Sequence, residues 1–397
     1  MSESTTFYTM LQPETLTLLR TMFPHTALKK NYLNHAATSP MSSRIMNIMT
    51  AYFIERSSGV LDNYVNDLPK VAECRMLIRR LINAEGTDRI AFVSNTSEAL
   101  NIVASGLPWK SGDRILLNNI EFPANVYPYL HLKRHGVEID MIEGVGGTIT
   151  PDRIETALTP KTRLVALSAV QYLSGFRADL QAIGSLLRSK GILFVVDAIQ
   201  AIGAVRIDVQ QMKIDALASG GHKWQMSPQG TGYLYLTHAL QEQIKQQYLG
   251  WLSVEDPWHF DELNQPPASS ARRYEGGTLN VPGIWAMHTA LTTLLDFGME
   301  QVEQQVLGLT RALIDGFQNV DGVTIYSPLQ DEQRAGIVTI NIDNVDAKNV
   351  FAMLSAQNIS TGLRRGKIRY SPHFYMTLEE MEGAVDATRQ CIDRSAR

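Results

Sequence analysis

Cysteine is scarce in this chain: two residues in 397, Cys74 and Cys391. That scarcity excludes a disulfide-stapled extracellular scaffold and points to a reducing compartment. An excess of either charge is also missing. Lys and Arg number 36 and Asp and Glu 40, for a net charge of −4, so the basic field of a nucleic-acid or anionic-membrane binder is absent. No apolar run approaches the ~20 residues that span a bilayer. Residues 1–20, with Glu3 and Glu14, lack the basic start and apolar stretch of a signal peptide. The expected setting is cytoplasmic, with neither membrane nor nucleic acid as partner. Repeats and low-complexity linkers are lacking as well; residues 256–270, rich in Pro, Asp and Ser, read as a loop. What is present is a packed globular composition, 44% hydrophobic and 19% charged, over a length that suits two domains better than one core.

Through the middle of the chain, short apolar runs alternate with helical patterns. Ile90-Ala91-Phe92-Val93 reads as a strand, followed by a helix over 97–105. Further strands are expected at 113–117, 163–167 and 192–196, with a helix over 179–190. Their apolar, β-branched content suits strands covered on both faces. This βαβα rhythm predicts an α/β fold with a mostly parallel sheet and helices on both sides. After about Pro282 the rhythm changes to a helical stretch over 283–320, a strand at 336–342, a helix over 347–357, a strand at 367–371 and a closing helix over 378–394. The expected division is a large α/β domain, 20–282, and a smaller α+β domain from 1–19 and 283–397.

Ligands of parallel α/β sheets bind beyond the carboxyl ends of the strands, and four features fall near such ends. In Val93-Ser94-Asn95-Thr96-Ser97-Glu98 a strand runs into small polar residues and then a helix. Asn95 and Glu98 have capping-box spacing, and Thr96 and Ser97 offer donors at the positive end of a helix dipole, a natural phosphate site. A plain capped helix is the alternative. In Val196-Asp197-Ala198-Ile199-Gln200 an acidic residue ends a strand buried on both faces, where a carboxylate needs a partner; a simple helix cap is the alternative. In Ala218-Ser219-Gly220-Gly221-His222-Lys223-Trp224 a lysine stands in poor surface context. Desolvation lowers a lysine pKa and favours nucleophile or base chemistry. Lys223 follows Asp197 by 26 residues, room for a crossover that brings both to one site. Finally, the glycines and threonine of Arg272-Arg273-Tyr274-Glu275-Gly276-Gly277-Thr278-Leu279-Asn280 can present donors to phosphate, or form an ordinary linking turn.

In order and spacing, these features resemble the class V aminotransferase family of fold type I enzymes dependent on pyridoxal 5′-phosphate (PLP), which includes cysteine desulfurases, kynureninases and isopenicillin N epimerase-like proteins. The resemblance runs from Tyr32-Leu33-Asn34-His35-Ala36-Ala37 to Arg369-Tyr370-Ser371-Pro372-His373-Phe374-Tyr375. It implies a seven-stranded large-domain sheet, a Schiff base on Lys223, Asp197 as partner of the pyridine nitrogen, and Gln200 at the ring oxygen O3′. Thr96, Ser97 and His222 are implied as phosphate contacts. Gly277 and Thr278 are implied to reach the phosphate of a neighbouring subunit in a homodimer with shared sites. Arg369 matches the arginine that pairs with the substrate α-carboxylate, and Asn34 and Ala36 belong to the wall beside it.

Two departures from the pattern bear on the reaction. The desulfurases carry a cysteine shortly before the strand with the substrate arginine, whereas 359–369 here is short and has none. Phe122 stands where desulfurases place a histidine over the ring; it can stack but cannot shuttle protons, and a core role is its alternative. Tyr172 falls where many relatives have an asparagine near the ring. Arg364 or Arg365 reads either as solvated loop charge or as a contact for a second acidic group. The expected function is PLP chemistry on a small amino acid, with Lys223 as base and an aldimine and quinonoid on its path. Transamination is favoured; β-elimination (C–S lyase) or epimerisation are the alternatives, and a non-catalytic binding role ranks lower. Two other signals are set aside. His131 and His135, four apart, lack an acidic third metal ligand, so no metal site is expected. Gly144-Val145-Gly146-Gly147 has Ile149 at the third glycine position of a dinucleotide loop, which leaves a nicotinamide oxidoreductase unsupported.

Overall fold

The computed structural model describes residues 8–61 and 64–395. Residues 1–7 and 396–397 of the expected smaller domain, with Glu3 among them, lie outside the described residues. Seven strands build the central sheet: β1 (Ile90–Val93), β2 (Arg114–Asn118), β3 (Glu138–Ile142), β4 (Thr162–Ser168), β5 (Leu193–Asp197), β6 (Ala216–Gly220) and β7 (Gly232–Leu236). Their order is β1-β7-β6-β5-β4-β2-β3. β7 runs antiparallel to both neighbours; every other pair is parallel. The sheet is thus the mostly parallel α/β sheet anticipated from the sequence, and the carboxyl ends of β1, β4, β5 and β6 gather at one edge.

The inner strands form because their sequences are continuous apolar runs with both faces covered. In β6 all five residues are buried, and in β4 and β5 all but one each. The strands expected at 90–93, 113–117, 163–167 and 192–196 fall on β1, β2, β4 and β5 within a residue at either end. β3 carried no such signal because it is an edge strand with two charged residues, and only Ile142 of its five is buried. Arg114 of β2 fastens it by ion pairs to Asp140 and Glu138.

A second, four-stranded antiparallel sheet follows, in the order Gly362–Arg364, Lys367–Tyr370, Val338–Ile342, Val323–Ile325. The single helix expected over 283–320 is two helices, Val281–Phe297 and Met299–Phe317, separated by Gly298 at φ +84°. A left-handed residue cannot continue a helix, and glycine is the residue that adopts it without penalty. The break redirects the chain: the first helix packs on Ser43–Ser58 and Tyr64–Ile82, the second on Leu378–Ser395. Near the other end of the chain, Arg20 donates to both oxygens of Glu380 at 2.7 and 2.8 Å, and Phe23 stacks on Tyr375 with ring centroids 3.7 Å apart. Asn31–Tyr32 pairs in parallel with Ile359–Ser360. His131–His135 is a 3-10 helix, in which residues four apart do not share a face, so the two histidines are not presented together. Among the described residues no helix is long and apolar enough to cross a membrane.

Candidate active site

A cleft of about 770 Å³, part of it open to solvent, lies at the carboxyl edge of the central sheet. Its walls come from segments far apart in sequence: Ala36, Thr96, Ser97, Phe122, Tyr172, Asp197, Gln200, His222, Lys223, Arg364 and Arg369 all line it. Ten of the predicted site residues therefore meet in one cavity. Asn34 is not part of that lining, but its Oδ1 lies next to Gly362, beside Arg369, and is buried without a partner. Gly277 and Thr278 are elsewhere, in a separate depression of about 580 Å³, with Thr278 exposed.

Lys223 follows β6 and is 9% exposed. Burial lowers its pKa to about 8; the Asp197 carboxylate counteracts this, and the Arg369 and Arg364 guanidinia reinforce it. Asp197 ends β5. Its pKa is raised to about 6, first by burial, against the hydrogen bond its Oδ1 accepts from the Ile199 N–H at 3.0 Å, with further raising by Glu121 and lowering by Lys223. Beneath them sits Trp224, fully buried. Its indole N–H donates to Gln200 Oε1 at 2.9 Å, and Gln200 Nε2 donates to the Ala36 carbonyl at 3.0 Å. Gln200 is thereby locked in place, because an indole can only donate and so fixes which end of the amide it meets.

Thr96 opens the helix Thr96–Gly106. Asn95 caps it, accepting from the Glu98 N–H at 2.9 Å. The Glu98 carboxylate accepts from the Ser94 N–H at 2.7 Å, one residue before the partner a reciprocal capping box would use. Thr96 is buried and its Oγ1 has no partner. An orphaned hydroxyl at a helix N-terminus is the donor arrangement an anion completes. Burial, and then the Lys223 charge, lower the His222 pKa.

Phe122 is 45% exposed, so it is no core side chain. Its ring lies 5.6 Å from Lys223 Nζ and edge-on to Tyr172, centroids 5.5 Å apart. Arg369 is 2% exposed. One of its terminal nitrogens donates to the Tyr172 carbonyl at 2.6 Å, while its Nε is buried without a partner. Burial lowers its pKa to about 10, and the Arg364 charge adds to this. The side chains of Tyr32 and Trp224 do not line the cleft. Cys74 and Cys391 are buried outside it, and burial pushes the Cys74 thiol up to about 12.

Glu121 is the residue that sequence reasoning passed over. Its buried carboxylate accepts from Asn118 Nδ2 at 2.7 Å, the Ser168 N–H at 2.8 Å, Gln171 Nε2 at 2.9 Å and the Ser168 hydroxyl. It thereby fixes the backbone that presents Phe122. The available signal was an acidic residue three positions past an apolar strand, a place where a carboxylate must find donors.

A parallel sheet with one antiparallel strand, carrying a buried lysine and aspartate at its carboxyl edge, defines a fold type I architecture. The aminotransferase class-V family model matches residues 31–385, and the chain belongs to that family. Similar proteins include a probable cysteine desulfurase of Methanothermobacter thermautotrophicus, 30% identical over 377 residues, covering 88% of this chain and 92% of the relative. An uncharacterized aminotransferase of Bacillus subtilis is 28% identical over 324 residues, covering 82% and 84%. Among solved structures, the apo cysteine desulfurase of Thermococcus onnurineus superposes with a TM-score of 0.87 at 26% identity, covering 98% of this chain and all of that one. The family depends on PLP, and the chain is a PLP-dependent enzyme of transferase or lyase type. The buried, unpartnered Thr96 hydroxyl and the buried Asp197 carboxylate fit the phosphate and the protonated pyridine nitrogen of that cofactor.

Proposed function

We propose that this enzyme acts on a small amino acid by transamination, with Lys223 as its proton carrier. The observation that carries the reading is Arg369: a guanidinium 2% exposed, with an unpartnered Nε, on the wall that also holds Lys223. A buried cation without an anion is costly, and a substrate α-carboxylate relieves that cost through two parallel hydrogen bonds. Ala36 lines the same cleft, and Asn34 Oδ1 lies next to Gly362, beside Arg369.

Thr96, Ser97 and His222 would hold the cofactor phosphate, Asp197 the pyridine nitrogen, Lys223 the aldehyde carbon, and the spare Gln200 amide hydrogen the ring oxygen. Phe122 would flank the ring. When bound, PLP supplies the electron sink that makes the substrate Cα–H acidic. Lys223 Nζ, with its pKa lowered to about 8, takes that proton and releases it again near neutral pH, the range in which a base and its conjugate acid both serve. No cysteine lines the cleft, so sulfur transfer to an enzyme thiol is not part of the reading.

β-Elimination of the C–S lyase type is the second reading, favoured by the desulfurase names of similar proteins; it uses the same Lys223 base. A homodimer with shared sites belongs to the proposal, supported by the place of Gly277 and Thr278 outside the Lys223 cleft. The cytoplasm is the proposed compartment, supported by two free cysteines. The division into 20–282 and 1–19 with 283–397 is supported by the seven-stranded and four-stranded sheets falling on either side of residue 282, although Asn31–Tyr32 pairs across it with Ile359–Ser360.

The test is Lys223→Ala, purified with PLP and compared with the wild type by near-ultraviolet and visible absorbance and by product analysis across an amino-acid panel. The wild type should show a cofactor band that responds to its substrate and should form 2-oxo acid beyond one equivalent per site only when a second 2-oxo acid accepts the amino group. The variant should lose the band and at least about 10²-fold in turnover. Product beyond one equivalent per site formed without an acceptor would replace transamination with elimination. Full activity in Lys223→Ala would remove Lys223 from the mechanism.

A further inference from the structure

The strand Gly362–Arg364 pairs antiparallel with Lys367–Tyr370 through the turn Arg365-Gly366, both residues at positive φ, +48° and +70°. That is the backbone of a two-residue type I′ hairpin, and it fixes the register: Gly362 opposite Arg369, Arg364 opposite Lys367. Side chains two apart on a strand share a face, so Arg364 lies on the face of Gly362, diagonal to Arg369. Diagonal neighbours are separated by roughly 7–8 Å at their bases, within reach of long side chains. Gly362 keeps the space between them open. A methyl group there would sit 3.1 Å from Asn34 Oδ1 and 3.4 Å from Arg369 Nε. Both guanidinia line the same cleft as Lys223.

Charge accounting shows what the second guanidinium lacks. The cleft wall carries two guanidinia, Arg364 and Arg369, and the Lys223 amine against one carboxylate, Asp197. The residues proposed to hold the phosphate are Thr96 and Ser97 of the helix Thr96–Gly106 together with His222, and neither guanidinium is among them. Arg364 donates to its neighbour's carbonyl, Leu363, at 2.8 Å, and among the described residues it forms no ion pair. Its charge is close enough to depress the pKa of both Lys223 and Arg369. An uncompensated cation held beside another in a partly desolvated cleft costs free energy until an anion meets it.

We propose that Arg364 is the recognition group for a second carboxylate, so that the enzyme's substrate is an amino acid with an acid group at its far end. Resting on the reading of Arg369 above, this names the substrate class of the same site. Arg369 takes the α-carboxylate; Arg364, at the mouth, takes the distal one. Its exposure suits this role, since a flexible arm can meet carboxylates a few bonds further out than the buried fork of Arg369.

The experiment titrates the PLP-loaded enzyme with two unreactive ligand series, dicarboxylic acids such as succinate and monocarboxylic acids such as propionate. Binding is read by calorimetry and by the change in cofactor absorbance, for wild type, Arg364→Gln and Arg369→Gln. The wild type should bind the dicarboxylates at least about tenfold more tightly, a preference that weakens with added salt. Arg364→Gln should erase that ratio, while Arg369→Gln should weaken both series. A wild type that binds both series equally overturns the second-carboxylate site and leaves the Arg369 reading intact. So does an Arg364→Gln variant that keeps the ratio but loses PLP, which would assign Arg364 to the cofactor phosphate. Monocarboxylate affinity unchanged in Arg369→Gln would overturn the underlying reading itself.

Discussion

Lys223 and Asp197 hold opposite charges that burial opposes, and each moderates the other's shift. Lys223 is displaced downward from 10.5 to about 8. In cofactor-free protein the folded state therefore binds fewer protons than the unfolded chain across that window. Stability contributed by this group rises with pH from about 8 to 10.5, and its penalty is in full force below 8. Capture of PLP requires the neutral amine, so its rate should climb to a plateau with a midpoint near pH 8. Removing the neighbouring charges should move that midpoint in opposite directions: upward in Arg364→Gln, because that guanidinium depresses the amine, and downward in Asp197→Asn, because that carboxylate supports it. Stopped-flow absorbance against pH checks it; shifts of the same sign in both variants would mean that Lys223 does not feel these groups. Both residues stood out in the sequence, Asp197 as a charge that closes an apolar strand and Lys223 as a lysine set among Gly220, Gly221, His222 and Trp224. Glu121 did not, since its meaning depends on Ser168 and Gln171, 47 and 50 residues further on, meeting it together with its neighbour Asn118.

Among the elements, the buried strands and long amphipathic helices were readable because their side-chain pattern is one-sided or wholly apolar. The charged edge strand β3 was not, nor was the interruption at Gly298, where an apolar pattern persists across a break made by one residue's backbone. The helix Thr96–Gly106 ties element to function. Its start was anticipated from Asn95 and Glu98, and its cap fixes where the Thr96 hydroxyl and the first N–H groups point. Asn95→Ala removes the acceptor for the Glu98 N–H and should destabilise the protein by about 1 kcal/mol. If this N-terminus carries the phosphate, the same change should weaken PLP binding measured by equilibrium dialysis, while Asn95→Ser, which restores a capping oxygen, should recover most of both. A loss of thermal stability with unaltered PLP affinity would confine Asn95 to holding the helix.

On the scale of the whole molecule, the Lys223 cleft and the Gly277–Thr278 segment are separate features of one chain. A glycine with open space around it and an exposed threonine have donors to offer beyond their own subunit. In a two-fold assembly a residue outside one site can complete the other, because an isologous interface places each subunit's segment against its partner. Composition and spacing do not carry this proposal, which comes from the family resemblance, since a segment that serves another copy leaves no trace in the packing of its own. The consequence is complementation. Lys223→Ala removes the amine, and Thr278→Arg places a bulky side chain where the partner's phosphate would approach, so each variant alone should be nearly inactive. Refolded or co-expressed together, they form mixed dimers in which one site carries both changes and the other carries neither. With random exchange, half the dimers are mixed and half their sites intact, so activity should return to about a quarter of the wild type. Activity that never exceeds the sum of the two separate preparations, in a mixture shown by mass spectrometry to contain mixed dimers, would mean that each subunit builds its site from its own residues.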